Sequence, residues 1–448
     1  MKKLYQTYFS ALFTRQRFYI LLVICITVFV LRFFVEWLGI LPFLFFGIFM
    51  LLVIMDYLQL FFTKGFVFAQ RSHAKRLSNG DQNEIQLIIE NKYAFPINLE
   101  VIDEVPYQFQ RRDVHYDFPV KARDTQHLLY HLRPVKRGEY NFGKTNLFVS
   151  GPIGIFKRRF QCGDEYDVPV YPSYLQLHKF QFLAISNQLV DAGIKIIRRI
   201  GQSMEFEQIK EYVAGDDFRT MNWKATARKG QFMMNNYTEE KSQQVYNVID
   251  KSRVMKMPFE GLSLLDYAIN ASLVMSNIAL LKQDRAGLIT FAENISAIIP
   301  ADKKGIQMQR IVETLYRQKT RYLESDFEKL YVLLRRRVNQ RSLIILYTNF
   351  ESVNSMRRQL PFLKKISSYH LLVIVFFENT ELEKLSGQKN DDIEDVYTKT
   401  LAESFIAEKR QIVKELSQAG IISILTAPEK LTVNVINKYL EIKARQLI

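Results

Sequence analysis

VYNVID at 245–250, LSLLDYAINASLVMSNIALLKQ at 262–283 and RAGLITF at 285–291 decide the fold of the C-terminal half. The first and third are short, apolar and rich in β-branched residues, the pattern of a buried strand. The second is long, with Leu264, Ala268, Ala271 and Met275 on one face, and reads as an amphipathic helix. Further on, 306–316 has a helical pattern, and LIILYT (343–348), HLLVIVFF (370–377) and IISILT (421–426) read as three more buried strands. Apolar strands separated by helices predict a parallel sheet covered on both faces, here an α/β domain over 244–448. Ligands of such sheets sit at the carboxyl ends of strands, where this sequence puts Asp250 and Asn349.

Upstream, the period changes to two. In NEIQLIIEN (83–91), Ile85, Leu87 and Ile89 alternate with Gln86, Ile88 and Glu90, and Ile97, Leu99 and Val101 repeat the pattern. Such alternation predicts half-buried antiparallel strands. Turn signals at Asn79-Gly80-Asp81, Phe95-Pro96, Arg137-Gly138, Gly151-Pro152 and Gly163-Asp164 punctuate them, which predicts a β-sandwich over 65–178. His127 and His131 fall on one face of such a strand, about 13 Å apart, too far for a shared metal ion.

The first 64 residues read as a membrane anchor. FYILLVICITVFVL (18–31) and GILPFLFFGIFMLLVIM (39–55) are uncharged, and each extends to the ~20 residues a spanning helix needs. The first does so if Arg32 snorkels to the headgroups. Lys2, Lys3, Arg15 and Arg17 precede the pair, Lys64, Arg71, Lys75 and Arg76 follow it, and the connecting loop holds only Arg32 and Glu36. The positive-inside rule then predicts a hairpin with both termini and all soluble domains in the cytoplasm, and accounts for much of the net charge of +15. Removal of 1–64 is expected to leave a folded soluble fragment. The two cysteines, Cys25 and Cys162, exclude a disulfide framework.

Between sandwich and α/β domain, 179–243 reads as a linker. It contains Glu211-Tyr212, Gly215-Asp216-Asp217, Arg219, Asn222-Trp223-Lys224, Ala227-Arg228 and Gly230. This string resembles the hallmark of the bacterial domain-of-unknown-function family 58, R-E-Y-x-x-G-D-D-x-R-x-I-D/N-W-x-A-x-A-R, with Lys210 replacing the usual first Arg. RGEYNFGKTNLFVSGPIGIF (137–156) and VPVYP (168–172) resemble the same family, so the likeness spans the chain. Physically, Asp216 and Asp217 beside Arg219 and Arg228 can form an ion network that fixes a geometry. Trp223 offers an aromatic face to Arg228 or Lys224. A latch between domains and a partner-docking surface both follow from that inventory.

The resemblance implies a multi-pass protein of the bacterial cytoplasmic membrane whose C-terminal domain is von Willebrand factor A-like, a Rossmann-type fold. It further implies an adaptor role beside a MoxR-type AAA+ ATPase and other membrane or von Willebrand A proteins. The metal-ion-dependent adhesion site of such domains takes Asp-x-Ser-x-Ser, a Thr and a later Asp around Mg²⁺. Here Asp250 and Ser252 match, Val254 stands where the second Ser belongs, Ser325 stands for the Thr, and Asn349 replaces the Asp. Lys251 and Arg253 add positive charge beside this degenerate set, and Asp326 is a candidate substitute carboxylate. Weak or absent Mg²⁺ binding is therefore expected. ATP hydrolysis is expected to fall to a partner. The alternatives are a nucleic-acid-binding basic membrane protein and an unrecognised hydrolase. The basic residues are dispersed without a recognition motif, so nucleic acid is not expected. Neither a Ser-His-Asp elbow nor H-E-x-x-H occurs, so an enzyme is not expected either.

Overall fold

The computed structural model describes residues 11–63, 65–72, 75–111, 114–173, 175–177, 205–213, 218–238, 242–382, 393–445 and 447. They fall into two compact units that divide after Tyr171.

The first unit starts with a short strand, β1 (Leu12–Thr14), then two helices, α1 (Gln16–Phe34) and α2 (Leu41–Phe61). At 1.5 Å per residue, 19 and 21 residues span about 28 and 31 Å, the depth of a bilayer's hydrocarbon core. Both are apolar enough to cross a membrane and expose most of their side chains. Arg32 lies in the last turn of α1, its guanidinium 4.8 Å above the ring of Phe43.

Ten strands follow: β2 (Val67–Ser72), β3 (Leu77–Ser78), β4 (Asn83–Asn91), β5 (Ile97–Asp103), β6 (His115–Val120), β7 (Thr125–Leu132), β8 (Gly138–Phe142), β9 (Thr145–Ser150), β10 (Phe156–Cys162) and β11 (Tyr166–Tyr171). They form sheets of order β1-β10-β9-β5-β6, β2-β4-β7 and β3-β11-β8. The alternation expected in β4 and β5 is present: Ile85, Leu87, Ile89, Ile97, Leu99 and Val101 all point into the core. His127 and His131 are exposed on β7, and His127 bonds Gln86 at 3.0 Å.

The structure draws the anchor boundary differently from a cut at residue 64. β1 pairs with β10, Leu12 opposite Arg158, so the chain is already in the sheet before α1 begins. At the other end, Leu60 and Phe61 are buried in the sandwich core. The Leu60 carbonyl accepts from the Tyr93 hydroxyl (3.0 Å) and the Arg158 guanidinium (2.6 Å). Asp56, the one acid in α2, is buried and accepts the backbone N–H groups of Ile155 (2.8 Å) and Phe156 (2.7 Å). The flanking cations are not all free charge either. Arg15 donates to Ser150 and Arg17 to the Ile153 carbonyl. Arg71 is buried inside the sandwich, where its guanidinium pairs with Asp103 and lies 5.1 Å from the ring centre of Phe142.

In the second unit, β12 (Glu205–Glu211) and β13 (Met233–Thr238) form an antiparallel ribbon that embraces a short helix, α3 (Trp223–Lys229). The segment expected to be a linker is thus a folded subdomain over its described residues. Then come β14 (Gln244–Asp250), β15 (Pro258–Phe259), β16 (Leu262–Ser263), α4 (Leu264–Leu281), β17 (Arg285–Phe291), β18 (Ile295–Asp302), α5 (Gln307–Tyr316), α6 (Phe327–Arg337), β19 (Leu343–Tyr347), α7 (Val353–Tyr369), β20 (Leu371–Phe377), α8 (Ile393–Gln418), β21 (Ile422–Thr426) and α9 (Leu431–Ala444). The main sheet has order β18-β17-β14-β19-β20-β21. It is parallel except for β18, an antiparallel edge strand carrying Pro300, a residue that edges tolerate because the ladder there needs no donor. The sheet is therefore mixed, not wholly parallel as expected.

Apolar side chains fill both faces of this sheet, with α4, α5 and α9 on one side and α6, α7 and α8 on the other. α4 is buried nearly all round, not along one stripe. Its serines are bonded at hand, Ser272 to the Ile269 carbonyl and Ser276 to the Ser272 carbonyl, and Asn247 of β14 donates to Ser276. Although apolar enough to span a bilayer, α4 is thus the central helix of a soluble-type core.

Candidate functional site

β14 and β19 are neighbours whose chain connections leave in opposite directions, so their carboxyl ends form the switch point of the sheet. Asp250 ends β14 and is buried. One carboxylate oxygen accepts the Ser252 backbone N–H (2.8 Å) and the Ser325 hydroxyl, and the other accepts the Thr348 hydroxyl at 2.7 Å. Asp250, Ser252 and Ser325 are brought together as the sequence suggested. Thr348 is a partner that sequence reasoning passed over, although it adjoins Asn349. Burial pushes the Asp250 carboxyl up, against the pull of the Ser325, Thr348 and Ser252 donors.

Asn349 faces something else. Its amide oxygen accepts the ammonium of Lys409 on α8 at 2.8 Å, and the same ammonium bonds the Phe350 carbonyl. Burial pulls Lys409 down to about 8, so it remains largely a cation at neutral pH. Sequence offered Lys251 or Arg253 for the charge beside this site. The structure seats Lys409 on Asn349 instead, and Arg253 reaches outward to Glu324 and Glu351 at 3.6 and 3.5 Å. Lys251 is buried, which lowers its pKa, and the nearby Arg321 lowers it further.

This donor set does not fit Mg²⁺. The ion favours carboxylate ligands in near-octahedral geometry. Asp250 is the one carboxylate, and both its oxygens hold hydrogen bonds. Val254 packs against the core. The Asn349 oxygen is occupied by an ammonium. Asp326 caps α6 by accepting the Lys329 N–H at 2.9 Å. Among the described residues no group of three His, Cys, Asp or Glu converges on a point. Titration of the detergent-solubilised chain with Mg²⁺ or Mn²⁺ is expected to give no saturable heat, and chelation to leave its melting temperature unchanged. Micromolar affinity that disappears in Asp250→Ala would overturn this.

The signature residues build the ribbon around α3. Glu211 pairs with Met233 in the ladder, and the Tyr212 N–H donates to the Phe232 carbonyl at 2.9 Å. The Tyr212 ring sits 5.0 Å from Phe218 and 6.5 Å from Phe232. Asn222 caps α3 through the Ala225 N–H and also donates to Asn235. Gly230 ends the helix in the left-handed region at φ 71°, where glycine carries no Cβ penalty. These residues explain themselves as scaffolding.

Others do not. Trp223 is 68% exposed, Phe218 66%, Val213 63% and Phe232 58%. Arg219, Lys224 and Arg228 stand exposed on the same short segment. A Trp223 this exposed does not latch by burying its ring, and among the described residues neither Arg228 nor Lys224 stacks on it. Gly215, Asp216 and Asp217 lie outside the described residues, and with them the expected ion network.

Residues 208–401 match a family model described as "Protein of unknown function DUF58", which bears out the resemblance over that stretch. "Uncharacterized protein YeaD" of Bacillus subtilis (strain 168) is 24% identical over 229 residues, 49% of this chain and 54% of the relative. The chain thus matches about half the length of that curated relative. Among solved structures, the conserved hypothetical protein BatB from Bacteroides thetaiotaomicron aligns at 14% identity and a TM-score of 0.28, over 46% of this chain and 99% of that one. Proximal thread matrix protein 1 from the mussel byssus, with a zinc-occupied MIDAS motif, aligns at 11% identity and a TM-score of 0.28, over 45% of this chain and 46% of that one.

Proposed function

With residues 208–401 matching the DUF58 family, we propose that this chain is a non-catalytic, membrane-tethered adaptor whose α/β unit is a von Willebrand A-like domain with a degenerate metal site. α1 and α2 are the tether, set in a bacterial cytoplasmic membrane with both termini on the cytoplasmic side. The strand order β18-β17-β14-β19-β20-β21 and the placement of Asp250, Ser252 and Ser325 at the switch point support the domain assignment. The partner is a MoxR-type AAA+ ATPase, which supplies the ATP hydrolysis: the string Gly138–Thr145 of this chain fits G-x-x-x-x-G-K-[ST] but runs from β8 into β9, without the helix whose N-terminus a phosphate-binding loop needs.

The observation that carries the adaptor reading is the exposed patch on the α3 ribbon. Four large apolar side chains stand out from a subdomain in which Glu211, Tyr212, Asn222 and Gly230 are spent on holding it in shape. Solvent-facing aromatics ringed by arginine and lysine are the composition of interface hot spots. Trp223→Ala is expected to weaken ATPase binding by about 2 kcal/mol, roughly 30-fold, in co-purification from detergent-solubilised membranes. Its melting temperature should barely move, because an exposed ring contributes little to folding. Binding equal to wild type would remove the patch from the interface, and a large drop in melting temperature would return Trp223 to a structural role.

A further inference from the structure

The α/β unit holds a second feature, at the carboxyl edge of the sheet and separate from the α3 ribbon. A cavity of about 200 Å³ opens there, walled by Phe259 and Leu264 on the β14 side, Phe377 at the end of β20, and Phe405 on α8. Apolar cavities of roughly 150 Å³ hold a benzene ring, so this one has room for a phenyl or branched alkyl group. Lys409 and Asn349 also line it.

The ammonium of Lys409 is the unusual element of the wall. It has three donors, and two go to neutral oxygens, the Asn349 amide and the Phe350 carbonyl. Among the described residues no carboxylate lies within ion-pair distance of it. Two glutamates share the lining: Glu351, exposed and facing Arg253, acts on Lys409 across a longer distance, as Glu408 does, and Glu378 makes no ion pair with it. A part-buried cation whose hydrogen bonds go to neutral acceptors favours an anionic partner, because a charge-assisted bond is stronger in a low-dielectric wall. Neutral acceptors also hold the ammonium in place beforehand, which reduces the ordering cost of binding.

We propose that this cavity is a binding site for an apolar carboxylate, with Lys409 pairing the carboxylate and the Phe259–Phe405 walls enclosing the apolar group. That chemistry has two sources: a free aryl- or branched-alkyl acid, and the carboxyl end of a peptide that finishes in Phe or Leu. The site needs no metal ion and does not depend on the α3 ribbon having a partner.

The test is calorimetric titration of the full chain in detergent. The probes are 3-phenylpropionate, its primary amide, acetyl-Gly-Gly-Phe with a free carboxyl end, and the same peptide amidated. Saturable binding of one or both acids is expected, at least tenfold stronger than the matching amide. Lys409→Met, which keeps the apolar stem, should abolish that preference, and Met257→Trp at the rim should weaken both acids by occlusion. Binding of 3-phenylpropionate alone assigns the site to free acids, and binding of the peptide alone assigns it to a chain end. Absence of saturable binding by either acid at millimolar concentration overturns the proposal. So does equal binding of acid and amide, or binding that neither variant changes. Wild-type melting behaviour of Lys409→Met guards the reading, and should that variant be unstable, Met257→Trp and the amide comparison decide alone.

Discussion

Arg71→Met is expected to cost the first unit about 3–5 kcal/mol, the loss seen when one partner of a buried ion pair is removed. Its guanidinium and the Asp103 carboxylate are almost wholly buried, with side-chain exposures of 5% and 0%. Asp103 collects the guanidinium, the Tyr130 hydroxyl and the Thr145 hydroxyl, the last at 2.9 Å. Arg71 also donates to Tyr166 (3.1 Å) and to the Gly143 carbonyl (3.2 Å), which ties β2 to three other segments of the sandwich. With the cation gone, the carboxylate remains buried with hydroxyl donors alone. A domain is stable by only about 5–15 kcal/mol, so the variant should melt far below wild type or fail to accumulate. Urea unfolding in detergent micelles, followed by far-ultraviolet dichroism, measures it. The double variant Arg71→Met/Asp103→Leu should regain much of the loss, since an apolar pair leaves no orphan charge. Equal midpoints for Arg71→Met and wild type would mean the pair carries no stability.

Deleting residues 1–64 should be at least as damaging. The cut removes Leu60 and Phe61 from the sandwich core, each worth roughly 1.5–3 kcal/mol of burial. It also strips β1 from β10, removes the acceptor for the Ile155 and Phe156 amides, and leaves the Tyr93 hydroxyl without Leu60. The fragment 65–448 is expected to have a first unit that binds hydrophobic dye and is cut by protease, while the α/β unit, with its own two-faced core, stays resistant. A fragment whose sandwich resists protease as well as the full chain would restore the cut at 64 as a true boundary.

What the sequence revealed follows from which forces leave a periodic trace. β4, β5 and the buried strands of the α/β unit were legible because burial repeats every second residue, or runs unbroken where both faces are covered. α4 misled, because Asn270, Ser272, Ser276 and Asn277 look like a solvent face yet are buried, the serines bonding within the helix. The α3 ribbon read as linker because caps and turns hold it, and Asn222 and Gly230 leave no period. At the candidate site, Asp250, Ser252 and Ser325 were found by pattern and Thr348 was not. Lys409 was out of reach: it is 60 residues from Asn349 and resembles any other lysine on a charged helix. Asp56 did leave a signal, a lone acid in an apolar helix, which in general marks a purpose-built contact.

The pairing of Leu12 with Arg158 also sets an order of events. Ribosomes add roughly 5–20 residues per second, so the strand that receives β1 emerges about 7–30 s after β1 itself. In that interval both long apolar helices have been made and the five-stranded sheet lacks β10. The sandwich therefore closes onto helices that are already complete. Its last ladder joins the first strand of the unit to one of its youngest, so closure of that edge reports that synthesis of the unit is nearly finished.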